Sequence, residues 1–154
     1  MRYMIPRKFW DLGARFDIFD EDRRPQLSVT EGSFSWDPQW TIEDLDGRKL
    51  AYVESDMSLH RVTYRICRDE QPWIEIAGSI FERRVSEVKL TGEPNYVASG
   101  DFWQLEYRFT RGDEVLATVG QHRWTHADMI SIETADEDDL SILLATMCLE
   151  YIRK

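Results

Sequence analysis

The sequence predicts a mainly β protein, an antiparallel barrel of about twelve strands closed around a central hydrophobic C-terminal α-helix. Three observations support this fold class. Short segments in which apolar and polar residues alternate recur along the chain, as is typical of half-buried strands. Aromatic side chains, which pack well on a pleated surface, are plentiful, with 6 Trp, 6 Tyr and 7 Phe among 154 residues. Finally, the chain ends in an apolar stretch of helical length.

A sequence pattern that recurs along the chain, here called the repeated phrase, predicts most of the strands. Ile18, Ile42 and Ile66 lie at intervals of 24 residues, and an aromatic residue stands two positions before each. An acidic turn and a second apolar alternation follow, so each copy predicts a β-hairpin. Tyr107 and Phe109 have the same roles in a fourth copy. The copies are RFDIFDEDRRPQLSV from Arg15, QWTIEDLDGRKLAYV from Gln39, TYRICRDEQPWIEI from Thr63 and EYRFTRGDEVLATV from Glu106.

The remaining segments complete the set of strands. A fifth hairpin is predicted on the two sides of Gly92-Glu93-Pro94, where glycine and proline favour a turn. The segments RYMIPRKFW, at the start, and DMISIETA, near the end, add one strand each. No linker or low-complexity tract divides the chain, so residues 1–154 are predicted to form one domain.

The C-terminal helix is predicted over about residues 137–152 and has no polar face. Residues 140–152 read LSILLATMCLEYI. Residues 136–139, Asp-Glu-Asp-Asp, offer capping side chains and negative charge at the helix start, while Arg153 and Lys154 place cations at its end. The apolar stretch is shorter than the roughly 20 residues that span a bilayer. A helix that is apolar on all sides must then be surrounded by protein.

A closed barrel accommodates this helix. Barrels of about eight strands are filled by their own side chains, whereas wider ones enclose space. A helix is about 10–12 Å across with its side chains, so it fills a twelve-stranded barrel. Closure also removes exposed sheet edges. The alternative, a two-sheet sandwich with the helix packed outside, would leave one side of the helix in water.

The ordered series of motifs resembles the LURP-one-related family. The match is carried by RFDIFDEDRRPQLSV, WTIEDLDGRKLAYV, SGDFWQLEYRFTRGDEVLATV and MISIETADEDDLSILLATMCLEYI. The resemblance implies the Tubby C-terminal-like fold, a twelve-stranded antiparallel barrel around a central helix, to which phospholipid scramblases are also similar. The first and third turns, DEDRRP and RDEQPW, lack the Asp-Gly pair typical of the family, which leaves their conformations open.

Charge and cysteine content indicate which partners and which cellular compartment to expect. The formal net charge of -10 disfavours nucleic acid and anionic membranes, and the acidic surplus is interpreted as serving solubility. Two distant cysteines form no disulfide framework, and no apolar signal segment follows the N-terminal basic residues. We therefore expect a cytoplasmic protein that is not an integral membrane protein.

The residue pattern predicts no catalytic, metal or cofactor site. On one strand, His122, His126 and Asp128 would share a face and could bind a metal, but GQHRWTHAD is typical of a strand that runs into a turn. Exposed, unligated histidines are therefore favoured. Cys67 alternates with Ile66, so it is expected to face solvent as an unpaired thiol, and Cys148 is expected in the core. No P-loop, dinucleotide fingerprint or G-x-S-x-G motif is present.

The candidate site is a basic patch on the outer wall, formed by Arg61, Arg65, Arg83 and Arg84. Guanidinium groups there could bind a phosphorylated headgroup, and the alternative interpretation is a solvated face with salt bridges. We favour a non-enzymatic binding or scaffold domain, whose partner is another protein or a phospholipid headgroup. The resemblance implies one alternative, a peripheral phospholipid- or phosphoinositide-binding protein related to scramblases. A second is an unrecognised hydrolase that uses scattered carboxylates.

Overall fold

Twelve strands and one α-helix follow one another in the part of the chain that the structure describes. The computed structural model describes residues 1–32, 39–58, 61–79, 87–92, 95–135 and 140–153. The elements are β1 (Arg2–Pro6), β2 (Arg15–Asp20), β3 (Pro25–Glu31), β4 (Trp40–Glu43), β5 (Lys49–Ser58), β6 (Arg61–Arg68), β7 (Gln71–Ser79), β8 (Glu87–Gly92), β9 (Tyr96–Asp101), β10 (Glu106–Arg111), β11 (Glu114–Trp124), β12 (Ala127–Thr134) and α1 (Leu140–Arg153), with a short 3-10 turn, Phe9–Asp11, between β1 and β2.

The strands form one closed antiparallel barrel. Each strand pairs with its neighbours in sequence, and β1 closes the ring by pairing with both β2 and β12. Ile5 lies opposite Ile130 at this closure, and Met4 lies opposite Phe19. The predicted mainly β fold, with its twelve-stranded barrel and C-terminal helix, is confirmed.

Helix α1 fills the interior of the barrel. None of residues 141–150 is more than 7% exposed. The helix contacts opposite walls, because the Glu150 carboxyl group bonds Tyr107 on β10 while the Tyr151 ring packs edge-on against Trp40 on β4. These strands lie six positions apart in the ring of twelve. Residues 136–139, predicted to cap the helix, lie outside the described residues.

Every strand contributes to the apolar core around the helix. Alternate residues point inward, as the period of two requires. One buried core residue from each strand, in chain order, is Ile5, Ile18, Val29, Ile42, Val53, Ile66, Ile74, Leu90, Ala98, Phe109, Val119 and Ile130. The helix adds Leu143, Leu144, Ala145 and Met147 to the same cluster.

The repeated phrase is also a repeated structure. Ile18, Ile42, Ile66 and Phe109 all point into the core, and in each hairpin the register shifts immediately after that residue. Such a bulge places one extra residue on the returning strand and increases the local twist. Each of the four hairpins therefore bends at the same point of the phrase, which helps to close the sheet.

The first two turns share one hydrogen-bonding pattern. Asp20 Oδ1 accepts bonds from the backbone N–H groups of Asp22 and Arg24, each at 2.9 Å. In the second turn, 24 residues later, Asp44 Oδ1 accepts the equivalent bonds, again at 2.9 Å. Arg23, with φ 65°, therefore occupies the position that Gly47 occupies with φ 84°. The first turn therefore has the same conformation as the second although it lacks the glycine, and Arg23 bears the strain of a left-handed backbone.

The third turn likewise keeps a left-handed backbone without glycine. Asp69 has φ 53° and Glu70 has φ 61°, so both residues between β6 and β7 adopt positive φ. Two successive positive φ values match the type I′ geometry that suits the twist of a two-residue hairpin, where Asp-Gly is favoured. The chain thus departs from the expected turn sequence but not from the expected turn.

Candidate functional site

Three polar residues of the helix are buried, namely Ser141, Thr146 and Glu150. The Tyr107 hydroxyl donates to Glu150 Oε1 at 3.0 Å, and the Thr146 hydroxyl donates to the Ile142 carbonyl at 2.8 Å. The Ser141 hydroxyl is buried and has no hydrogen-bond partner among the described residues. A nucleophilic serine needs a base within reach, and the described histidines, His122 and His126, are exposed on the outside of the barrel.

Arg65 is the member of the predicted basic patch whose side chain is described. It lies between two carboxylates, with Asp56 Oδ2 at 3.7 Å and Glu75 Oε2 at 3.7 Å. The backbone of Arg61 belongs to β6 on the same sheet, but its side chain lies outside the described residues, as do Arg83 and Arg84 entirely. At Arg65 the charge is thus partly balanced by acid on both neighbouring strands.

The histidine constellation considered for a metal is not assembled. β11 ends at Trp124 and β12 begins at Ala127, so His126 lies in the hairpin turn between them. His122 is opposite Met129 and Asp128 is opposite Arg123, which places the three side chains at different levels of the hairpin. Over the part of the chain that the structure describes, no group of three or more His, Cys, Asp and Glu side chains could hold a metal ion.

Both cysteines are free and buried. The prediction that Cys67 faces solvent is wrong: it alternates with Ile66 as expected, yet it is only 3% exposed. Tyr52 lies opposite Cys67 on β5 and interacts with it, so the outer wall is covered at this point. Burial raises the pKa of the Cys67 thiol, and burial together with Cys67 raises the pKa of Tyr52 to about 12. Such a thiol is a poor nucleophile at neutral pH.

Cys148 behaves as a core residue, as predicted. It is fully buried on α1, and burial raises the pKa of its thiol far above the ordinary range. It therefore stays protonated at neutral pH and contributes packing.

An open cleft lies outside the barrel, between the β2–β3 turn and the β11–β12 hairpin. Its volume is about 510 Å³. Six residues line it, and we call it the Arg23–Trp124 cleft: Glu21, Arg23, His122, Arg123, Trp124 and Thr125. Two arginines, a histidine, a tryptophan, a threonine and a glutamate thus line one concave surface.

Contacts between the two hairpins hold the cleft together. The Arg23 guanidinium lies 5.2 Å from the centre of the Trp124 ring and donates through Nη2 to Thr125 Oγ1 at 3.2 Å. The same indole packs edge-on against Phe19, with ring centres 5.6 Å apart. The Asp20 turn described above fixes the backbone of Arg23. One side of the cleft is thereby preorganised by a cation–π contact and a hydrogen bond.

Sequence reasoning missed this cleft. Arg23 and Thr125 are 102 residues apart, and neither belongs to a motif that pairs them. A signal was available in the first turn, where Arg23 stands at a position that favours glycine and adopts φ 65°. A long cation at a strained turn position is consistent with a role for its side chain, but the sequence alone does not show which surface it meets.

These features define a barrel whose interior is occupied by its own helix and which carries the Arg23–Trp124 cleft on its outside. The family model for LURP-one-related proteins matches residues 1–149, so the chain belongs to the LURP-one-related family. It is similar to the uncharacterized protein YxjI of Bacillus subtilis (strain 168), with 23% identity over 141 residues, 92% of this chain and 86% of that protein.

A second similarity covers a much smaller share of its relative. The chain is 27% identical over 121 residues to argininosuccinate synthase of Rhodospirillum centenum, which covers 79% of this chain but 24% of that protein. No solved structure matches the chain significantly. Within the described residues, no helix is both long and apolar enough to cross a bilayer.

Proposed function

We propose that the chain is a non-enzymatic binding protein, one domain over residues 1–154, which engages a ligand or partner through its outer surface. The observation that carries this proposal is the filled interior, in which residues 141–150 are at most 7% exposed. Binding sites are concave surfaces with convergent polar groups, and the Arg23–Trp124 cleft is a surface of this kind.

The closed barrel also limits how a partner could bind. A partner cannot add a strand to a sheet that has no open edge, so recognition depends on side chains and loops. Two free, buried thiols support a reducing compartment, and we propose the cytoplasm as the location.

Two alternatives are tested together with this proposal. A lipid-binding protein would use the patch of Arg61, Arg65, Arg83 and Arg84, in which Arg65 already contacts Asp56 and Glu75. A hydrolase would use carboxylates, which are abundant, with 29 Asp and Glu residues in the chain.

The experiment incubates the purified chain with vesicles of phosphatidylcholine, with or without phosphoinositide, and separately with ester, phosphomonoester and glycoside substrates. We expect no turnover, and no phosphoinositide-dependent pelleting at low salt. A parallel sample, purified gently and examined by native mass spectrometry, is expected to retain a ligand or partner. Turnover proportional to the amount of chain would contradict the non-enzymatic proposal. Pelleting that depends on phosphoinositide and is lost in Arg65→Ala would select the lipid-binding alternative instead.

A further inference from the structure

We propose that the Arg23–Trp124 cleft binds a small organic anion, namely a carboxylate or phosphate group attached to a planar ring. This inference rests on the proposed binding function and names the ligand class for that surface. It uses side chains that no sequence motif brought together and that come from two separate hairpins.

Two cations, Arg23 and Arg123, line the cleft together with one carboxylate, Glu21, so its charge suits a single oxyanion. Arg23 and Arg123 are permanently cationic, and each guanidinium presents five N–H donors in a planar fork that matches carboxylate and phosphate oxygens. Arg23 uses Nη2 toward Thr125, a contact that holds the fork in place. Its orientation is therefore set before a ligand arrives, which reduces the entropy lost on binding.

The indole of Trp124 supplies the selectivity for a ring. Its side chain is part of the cleft wall and is partly exposed. Phe19 contacts it edge-on and Arg23 lies over it, so the ring is held in one orientation. A planar ligand ring can stack on the indole or on a guanidinium plane, as aromatic groups and arginine side chains do.

The size of the cleft and the overall charge of the chain favour a small molecule as the ligand and disfavour a membrane or a nucleic acid. A volume of about 510 Å³ lies within the range of small-molecule sites, roughly 300–1,000 Å³. The formal net charge of -10 repels anionic membranes and nucleic acids at long range. Glu21, at the cleft itself and in an ion pair with Arg2 at 3.6 Å, further disfavours a polyanion.

The test is a titration of the full ¹⁵N-labelled chain followed by NMR. The probes are phenyl phosphate and benzoate, with inorganic phosphate as the anion without a ring and benzyl alcohol as the ring without charge. The indole N–H resonance of Trp124 is assigned with Trp124→Phe. Binding is compared in Arg123→Ala, Arg23→Ala and the control Arg108→Ala, which removes an exposed arginine on β10 outside the cleft.

We expect phenyl phosphate and benzoate to shift the Trp124 indole and hairpin resonances with a Kd on the order of 1 mM. Inorganic phosphate and benzyl alcohol are expected to bind at least about tenfold more weakly than either. Arg23→Ala and Arg123→Ala should each weaken binding about tenfold or more, as expected when one charged hydrogen-bonding partner is lost. Arg108→Ala should leave the Kd within about twofold.

Other results would contradict either the anion site or the proposed function, and the experiment distinguishes the two. No shift at the cleft up to about 10 mM probe, or equal binding by Arg123→Ala, would overturn the anion site, while shifts at another surface would leave the binding function standing. Hydrolysis of phenyl phosphate to phenol and inorganic phosphate would instead overturn the non-enzymatic proposal. Arg123-dependent pelleting with anionic vesicles, without probe binding, would replace the small anion by a membrane surface.

Discussion

The hydroxyl group of Tyr107 on the barrel wall donates a hydrogen bond to Oε1 of Glu150 on the central helix, 3.0 Å away and out of contact with water. Glu150 is only 2% exposed, so its carboxyl group depends on protein donors. The bond joins β10 to α1 and so links the helix directly to the barrel wall.

Tyr107→Phe is therefore expected to lower the free energy of unfolding by about 1.5–3 kcal/mol, because a buried carboxyl group loses a donor. Glu150→Gln retains an acceptor for the tyrosine and should cost less. Urea denaturation of both single variants and the double variant measures the coupling between the two residues. Additive losses, with no coupling energy, would show that the bond contributes nothing.

The third turn is expected to be more stable with glycine at position 70. Glu70 adopts φ 61°, and Glu70→Gly would create the Asp-Gly pair that this geometry favours. The substitution also removes an exposed ion pair with Lys49, at 3.5 Å, so the matched control is Glu70→Ala, which removes the same pair but keeps a β-carbon. We expect the glycine variant to be more stable than the alanine variant by about 1 kcal/mol in urea denaturation. Equal stability would contradict the assigned left-handed conformation.

Gly100 is predicted to tolerate no side chain. Its φ is 140°, and a β-carbon there would lie 2.5 Å from the Glu106 carbonyl oxygen and 2.7 Å from the Cα of Tyr107. Both obstacles are backbone atoms of the paired strand, so they cannot move away cheaply. Gly100→Ala should lower the free energy of unfolding by about 3 kcal/mol or more.

Gly120→Ala is the control for this substitution, because a β-carbon at that position would lie within 4 Å of no described residue other than its neighbours in the chain. Its effect should stay within about 0.5 kcal/mol. A loss at Gly100 as small as that at Gly120 would show that β9 and β10 do not approach each other this closely.

Burial of the Cys148 thiol makes stability dependent on pH. An unfolded cysteine has a pKa of about 8.5, and burial raises the pKa of Cys148 in the folded state. The folded state then binds more protons at alkaline pH, so the contribution is complete below about pH 8.5 and is lost progressively above it. At pH 10 the loss from this group reaches about 2 kcal/mol.

The measurement compares the free energy of unfolding at pH 7 and pH 10 in the native chain and in Cys148→Ala. The small cavity left by the substitution affects both pH values equally, so the difference isolates the thiol. Cys67 and Tyr52, whose pKa values are also raised, remain in both proteins. An identical pH dependence in the two proteins would contradict the burial of Cys148.

The repeated phrase explains why so much of the fold could be predicted. Ile18, Ile42 and Ile66 alternate with polar residues, and that period of two fixes which side chains enter the core. The last segment is apolar on every side, so it needs an apolar environment all round. A closed barrel provides that environment. Both arguments depend on local sequence alone.

What could not be predicted depends on contacts between distant segments. Cys67 obeys the alternation but is covered by Tyr52 of the neighbouring strand, so outward position did not mean exposure. The Arg23–Trp124 cleft requires two hairpins to meet across the closure of the barrel, and hydrophobic periodicity contains no information about such a meeting. The basic patch around Arg65 remains a prediction.

Helix α1 lies inside the barrel, surrounded by protein on all sides. Thiol labelling tests this placement with single cysteines at four successive positions, 145 to 148. The background for positions 145 to 147 is Cys67→Ala with Cys148→Ala, and the fourth protein carries Cys67→Ala alone, so that its one thiol is the native Cys148. Four successive residues cover a full turn of a helix. Asp113→Cys, at the exposed β10–β11 turn, is the positive control.

We predict that a maleimide reagent labels all four helix positions roughly a thousandfold or more slowly than the Asp113→Cys control, because each thiol in the helix reacts only on unfolding. Rapid labelling at one or two of the four positions, with protection of the others, would show a helix with a wet face that packs against the outside of the sheet, and would contradict the account.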